Sequence, residues 1–220
     1  MHSRTDWIAT IFDMDGVLVD SEPLHMRSAN RLLARWGAHI DEETYKSFIG
    51  SGELATWTAW REKYHLPPSV DQLIAEHTRL RVAEVTAGVD AISSAVDLAR
   101  RLHRAAHPLA LASSSTRAVI DAILARLDLD DAFALRVSGE DPEVRHSKPA
   151  PDVYLRAAEL LGVDPRRCLA IEDSGPGVAA AKAAGMFCIA VPNRWTDGQD
   201  FGRADVVLAD LAYLPLLLEE

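Results

Sequence analysis

From Gly88 onward the sequence alternates between short apolar runs and stretches of helical period, and that alternation constrains the fold more than any other feature. The spacing predicts a helix over 92–104, a strand at "PLALAS", a helix over 117–127 and a short strand at "ALRVSG". A helix over 152–161, a strand at "CLAIED", a helix over 177–184 and a strand at "FCIAVP" follow. A last short strand, "DVVLAD", leads into an apolar C-terminal turn, and one further strand, "WIATIFD" (7–13), stands far upstream. Strands separated by helices form a parallel sheet covered on both faces. The expected class is therefore α/β, with a Rossmann-like core. Right-handed crossovers place every strand's carboxyl end on one rim, and ligands of such sheets bind there.

Between the first strand and the alternation the patterns are helical only. The first, over 22–36, carries Ala29, Leu32, Leu33 and Trp36 on one stripe and stops at Gly37. "ELATWTAWREKYH" and "VDQLIAEHTRLRVAEV" are two more, parted by the breaker "LPPS". Residues 1–17 and 86–220 are thus expected to form the core, and residues 18–85 a helical cap inserted above the rim. Trp36, Trp57 and Trp60 are assigned to the cap's own core.

A hydrophobic content of 48% with 25% charged residues is that of an ordinary globular protein. A net charge of −10 with no basic block argues against a nucleic-acid or anionic-membrane partner. The apolar run in "MHSRTDWIATIFD" is too short to span a membrane and lacks a cleavage site. Cys168 and Cys188 lie in strand-like apolar runs and read as buried structural thiols, which fits a cytoplasmic setting. Nothing demands more than a monomer.

The residues that follow each strand define the rim. Asp13 and Asp15 end the first, "SSST" (113–116) the second, and Glu172 and Asp173 the fourth. Lys148 stands just before a helix opened by Pro149 and Pro151. Hydroxyls and free amides at a helix N-terminus bind anions. Four carboxylates around one ammonium call for a divalent cation, and Mg²⁺ suits hard oxygen ligands completed by a phosphate oxygen. An acidic pair beside such a cation can form an acyl phosphate on one carboxylate while the other moves protons. A calcium-binding EF-hand loop is excluded, because Gly16 comes too early and the later ligands are missing. "GPGVAA" imitates a dinucleotide fingerprint, but Glu172 and Asp173 would face the pyrophosphate. Its small residues instead serve close helix–sheet packing.

"DMDGVLVDSEPLH", "LASSS", "SKPAPDVY" and "IEDSGPGVAAAKAAG" together resemble the four motifs of the haloacid dehalogenase-like hydrolases. The subgroup resembled is that of β-phosphoglucomutase and related phosphatases, and the likeness spans about residues 7 to 210. It implies Asp13 as nucleophile and Asp15 as general acid/base, with the Asp15 backbone carbonyl also on the metal. It further implies Asp173 as a Mg²⁺ ligand and Glu172 as ligand or support. Ser113, the Ser114 amide and Lys148 would hold the phosphoryl group. His25, at the cap hinge, could face substrate or be structural, and Arg117 could meet substrate or solvent. Asp15 and Asp173 speak against dehalogenation. In "FIGSGELATW", Glu53 stands three residues after Gly50, where the mutases carry a phosphate-gripping arginine, which disfavours a bisphosphate intermediate. Phosphonate cleavage would need Lys46 or Lys63 in a context neither has. The expected function is a Mg²⁺-dependent phosphatase of small organic phosphate monoesters, sugar or polyol phosphates among them. A phosphomutase is the runner-up and a non-catalytic phosphoacceptor the remote alternative.

Overall fold

A computed structural model describes residues 7–214. In chain order the elements begin with β1 (Ala9–Phe12) and β2 (Val19–Asp20). Four helices follow: α1 (Glu22–Leu33), α2 (Glu42–Lys46), α3 (Glu53–Lys63) and α4 (Val70–Ala87). Then come β3 (Asp90–Ala91), α5 (Ser93–Arg104), β4 (Leu109–Ser113), α6 (Arg117–Leu127) and β5 (Arg136–Ser138). The chain continues through α7 (Asp152–Leu161), β6 (Cys168–Glu172), α8 (Gly175–Ala183), β7 (Phe187–Ala190) and β8 (Val206–Val207). The apolar C-terminal stretch expected after the last strand opens as a 3₁₀ turn at Leu211–Tyr213, with Leu211 and Leu214 buried; the rest of it, from 215 onward, lies outside the described residues.

Six strands pair in parallel in the order β5-β4-β1-β6-β7-β8, so β1 is central and buried along its length. The pleat sorts side chains by size. Phe12, Leu109, Leu111, Leu169 and Ile171 face α5 and α6, whereas Ala9, Ile11, Ala110, Ala112 and Ala170 face α7 and α8. The small-residue face lets α7 and α8 lie close to the sheet. Cys168 and Cys188 are buried free thiols within it, on neighbouring strands. Among the described residues no helix is long and apolar enough to cross a membrane.

The helical block has its own core, built on Leu32, Leu33, Tyr45, Trp57, Trp60 and Leu73, to which Trp195 of a sheet-side loop contributes. Trp36 departs from expectation. The last turn of the first helical pattern tightens to a 3₁₀ turn at Ala34–Trp36, which rotates Trp36 off the stripe and leaves it 37% exposed. Two features escaped the sequence reading. β2 and β3 form a two-residue antiparallel ribbon where the chain leaves and re-enters the sheet region. α8 begins at Gly175, two residues early, because Ser174 caps it by accepting the Gly177 amide.

Candidate active site

β1, β4 and β6 deliver their terminal residues to one rim. The Asp13 amide continues the sheet by donating to the Ile171 carbonyl (2.9 Å), which fixes Asp13 directly above the strand. Lys148, 5% exposed, reaches over from the loop before α7 and donates to Asp13 (2.7 Å), Glu172 (2.6 Å) and the Ala112 carbonyl (3.3 Å). Glu172 is fully engaged. Its Oε1 also accepts from the Tyr154 hydroxyl (2.7 Å), and its Oε2 from the Asp173 and Ser174 amides and the Ser174 hydroxyl. Five donors saturate it, so this carboxylate orients Lys148 and the Asp173 turn rather than offering free lone pairs. That packing explains Gly177: a Cβ there would lie 2.0 Å from the Glu172 carboxylate.

Asp13, Glu172 and Asp173 each place an oxygen within 4.8 Å of the others, against one ammonium. Burial, only partly offset by Lys148, pushes Asp13 up to about 8, with Glu172 and Asp15 adding to the rise. Burial, with Glu172, Asp13 and Glu22 adding to it, drives Asp173 well above the carboxylate range, although the Asn193 amide donates to it (2.8 Å). An all-oxygen set short of positive charge fits a hard divalent cation such as Mg²⁺, with open lone pairs on Asp13 and Asp173. Gly16 (φ +77°) is dictated by the same crowding, since a Cβ would fall 2.0 Å from the Asp173 carboxylate.

The Asp15 carboxylate lies outside this acidic group, so only its backbone carbonyl, the atom the resemblance assigns to the metal, remains as its contribution there. It accepts from the hydroxyls of Ser21 (2.5 Å) and Ser115 (2.7 Å) and from Arg81 (3.3 Å). Burial would raise its pKa, but Arg81 and the two hydroxyls outweigh burial and hold it below the ordinary value. Arg81, on α4 and 3% exposed, also donates to Glu53 (2.7 Å) and to the Ser115 hydroxyl (3.2 Å). Burial opposes ionisation of Glu53, yet His77, His25 and Arg81 keep its carboxyl well below the usual range. His25, Glu53 and His77 cluster closely enough to suggest a second metal site. Arg81 already supplies the positive charge there, which removes the case for a cation.

Ser113 is buried and its hydroxyl accepts the Ser115 amide (3.0 Å), ordering the turn before α6. Ser114 lines a cleft together with Asp13, Asp15, Lys148, Asp173 and Ser174. The cleft holds about 700 Å³ of free space, mouth included, and its opposite wall comes from the helical block: His25, Gly50, Glu53, Tyr45, Trp60 and Glu22. Arg117 does not reach it. Its Nη2 donates to both Asp141 carboxylate oxygens (2.7 Å each) and its Nη1 to the Arg136 carbonyl (2.9 Å), so its place after "SSST" ties α6 to β5 instead.

Glu22 yields a pH-dependent prediction. Burial first, then Asp15, lifts it to about 7, against the hydrogen bond it accepts from Tyr45. A carboxyl raised on folding binds more protons in the native state, so stability falls as pH rises from about 4.5 to 7. Glu22→Gln, a neutral isostere, should therefore match the parent near pH 4.5 and exceed it by roughly 3 kcal/mol at pH 8. Urea denaturation at the two pH values checks this, and an equal difference at both would contradict it.

A haloacid dehalogenase-like hydrolase family model matches residues 9–185. Protein CbbY of Rhodobacter capsulatus is 35% identical over 214 residues, covering 93% of each chain. Hexitol phosphatase B of Escherichia coli (strain K12) is 35% identical over 214 residues, covering 94% of each. The crystal structure of CbbY from Rhodobacter sphaeroides in complex with phosphate superposes with a TM-score of 0.89 at 28% identity, over 97% of this chain and 100% of that one. Acidic strand ends, a buried lysine and a helical block over the rim of a parallel sheet accompany these matches, and the chain belongs to the haloacid dehalogenase-like hydrolases.

Proposed function

We propose that the protein is a Mg²⁺-dependent phosphatase that hydrolyses sugar or polyol monophosphates through an aspartyl-phosphate. The observation that carries the reading is the opposite settings of two carboxylates two residues apart. Asp13 points at Lys148 and the acidic group, whereas Asp15 is turned toward hydroxyls and Arg81. The first would attack phosphorus, and the second would protonate the leaving oxygen and then activate water. Lys148, the Ser113 hydroxyl and the Ser114 amide would hold the transferring group. Asp13 and Asp173, with the Asp15 backbone carbonyl, would hold Mg²⁺, which when bound neutralises phosphoryl charge. The helical block would act as the cap, closing over the substrate and excluding bulk water. Hexitol phosphatase B, 35% identical along nearly its whole length, supports a polyol phosphate as the substrate class.

Phosphate release from a panel of sugar, nucleotide and small-acid phosphates tests the reading. Chelation should lower the rate at least about a hundredfold, and Mg²⁺ should restore it. Turnover that survives chelation would remove the metal from the account. Isomerisation stimulated by traces of sugar bisphosphate, in place of phosphate release, would establish a mutase.

A further inference from the structure

Glu172 and Asp173 are neighbours at the end of β6, yet they are held very differently. Five donors saturate Glu172, whereas among the described residues the Asp173 carboxylate accepts a single hydrogen bond, from the Asn193 amide at 2.8 Å. That bond lands on Oδ2 and leaves the other oxygen to the acidic group. A metal ligand held by so little depends on the neighbour that orients it. The far end of the Asn193 amide settles which atom faces Asp173: Oδ1 accepts the Trp195 backbone amide (2.8 Å), so Nδ2 is left to donate. The same Nδ2 lies 3.4 Å from the Gly16 carbonyl, on the turn that follows Asp15. Asn193 therefore bridges Asp173 to the segment whose Asp15 carbonyl would sit on the cation.

The loop that carries Asn193 is itself tied down. The Asn193 amide N–H donates to the Thr196 hydroxyl (3.1 Å) and the Thr196 N–H to the Asn193 carbonyl (3.1 Å), which closes a tight turn around the fully buried Thr196. Two residues past Asn193, Trp195 leaves the sheet side: it is 5% exposed and packs in the core of the helical block. Its ring meets Tyr45 edge-on at 5.9 Å. Its Nε1 donates to Asp20 (3.1 Å) in β2, where the chain leaves the sheet region. One short turn thus grips a carboxylate of the acidic group at one end and the helical block at the other.

We infer that Asn193 is a positioning residue that aims Asp173 at the cation, and that Trp195 makes this aim depend on how the helical block is seated. The inference rests on the Mg²⁺ reading of the site and adds to it a loop that lies outside the four motifs.

Calorimetric titration of the protein with MgCl₂ tests it. Asn193→Ala should weaken Mg²⁺ binding by at least about tenfold, the usual effect of removing a group that orients a metal ligand. The Mg²⁺ concentration giving half the maximal rate with p-nitrophenyl phosphate should rise by the same factor, while the ester's KM at saturating Mg²⁺ stays unchanged. General loosening of the fold would not give that split. In proton–nitrogen NMR spectra of the unmutated protein, the Trp195 indole signal, identified by its loss in Trp195→Phe, should shift as Mg²⁺ binds, because coupling between two places is reciprocal. This measurement decides the matter even if Asn193→Ala does not fold. Unaltered Mg²⁺ affinity in folded Asn193→Ala overturns the inference, and so does an indole signal that ignores the metal. A parent protein that takes up no Mg²⁺ sinks the metal reading itself, whereas a parent that binds it no better than the variant sinks the inference alone.

Discussion

Asp13→Asn should yield a folded protein whose hydrolysis of every phosphate ester is lower by at least about a thousandfold. The amide keeps the size of the carboxylate and can turn its oxygen toward Lys148, which sits 2.7 Å away in the parent. Packing at the end of β1 is therefore retained. Two properties are lost together: the anionic oxygen able to bond to phosphorus, and one oxygen of the acidic group that would hold the cation. The parent carboxyl is itself disfavoured by burial, with a pKa near 8, so removing its charge should cost little stability. Kinetics with and without Mg²⁺, beside a denaturation curve, check both halves. Substantial metal-dependent hydrolysis in the variant would discard Asp13 as nucleophile.

The second large effect falls on stability as well as rate. Lys148→Ala leaves Asp13 and Glu172 facing each other in a buried site with their shared ammonium removed. Breaking a buried ion pair from one side costs about 3–5 kcal/mol, because the abandoned charge keeps its desolvation penalty. The loss of charge stabilisation on the transferring group should lower kcat at least about a hundredfold. Urea denaturation and steady-state rates measure the two effects. A variant as stable as the parent, or within about twofold of its rate, would show that this lysine is a bystander.

Strand ends were readable because a parallel sheet sends them all to one rim, whatever lies between them in sequence. That rule gathers Asp13, Asp15, Ser113, Glu172 and Asp173 from the sequence alone. Residues that complete the site from elsewhere obey no such rule. Arg81 meets Asp15 across 66 residues, and Asn193 meets Asp173 from the loop after β7. A signal for Arg81 existed: with His77 it stands at four-residue spacing between Leu73 and Val85, polar groups on the buried stripe of α4. Arg117 shows the same limit from the other side: its position beside "SSST" leaves substrate and solvent both open, and side-chain direction at the start of α6 sends it to Asp141. Proximity in sequence fixes where a backbone goes, while the reach of a long side chain is decided by partners that packing supplies.

The central claim is a covalent bond between Asp13 and phosphorus, and acid-quench mass spectrometry tests it most directly. Asp15→Asn protein with Mg²⁺ would be mixed with p-nitrophenyl phosphate, whose leaving group needs no proton, then quenched and digested. The account predicts one phosphoryl group on the peptide carrying Asp13, stranded because the residue that should activate water is gone. Nitrophenol released in a burst while that peptide stays unmodified, or a phosphoryl group found on another residue, would contradict it.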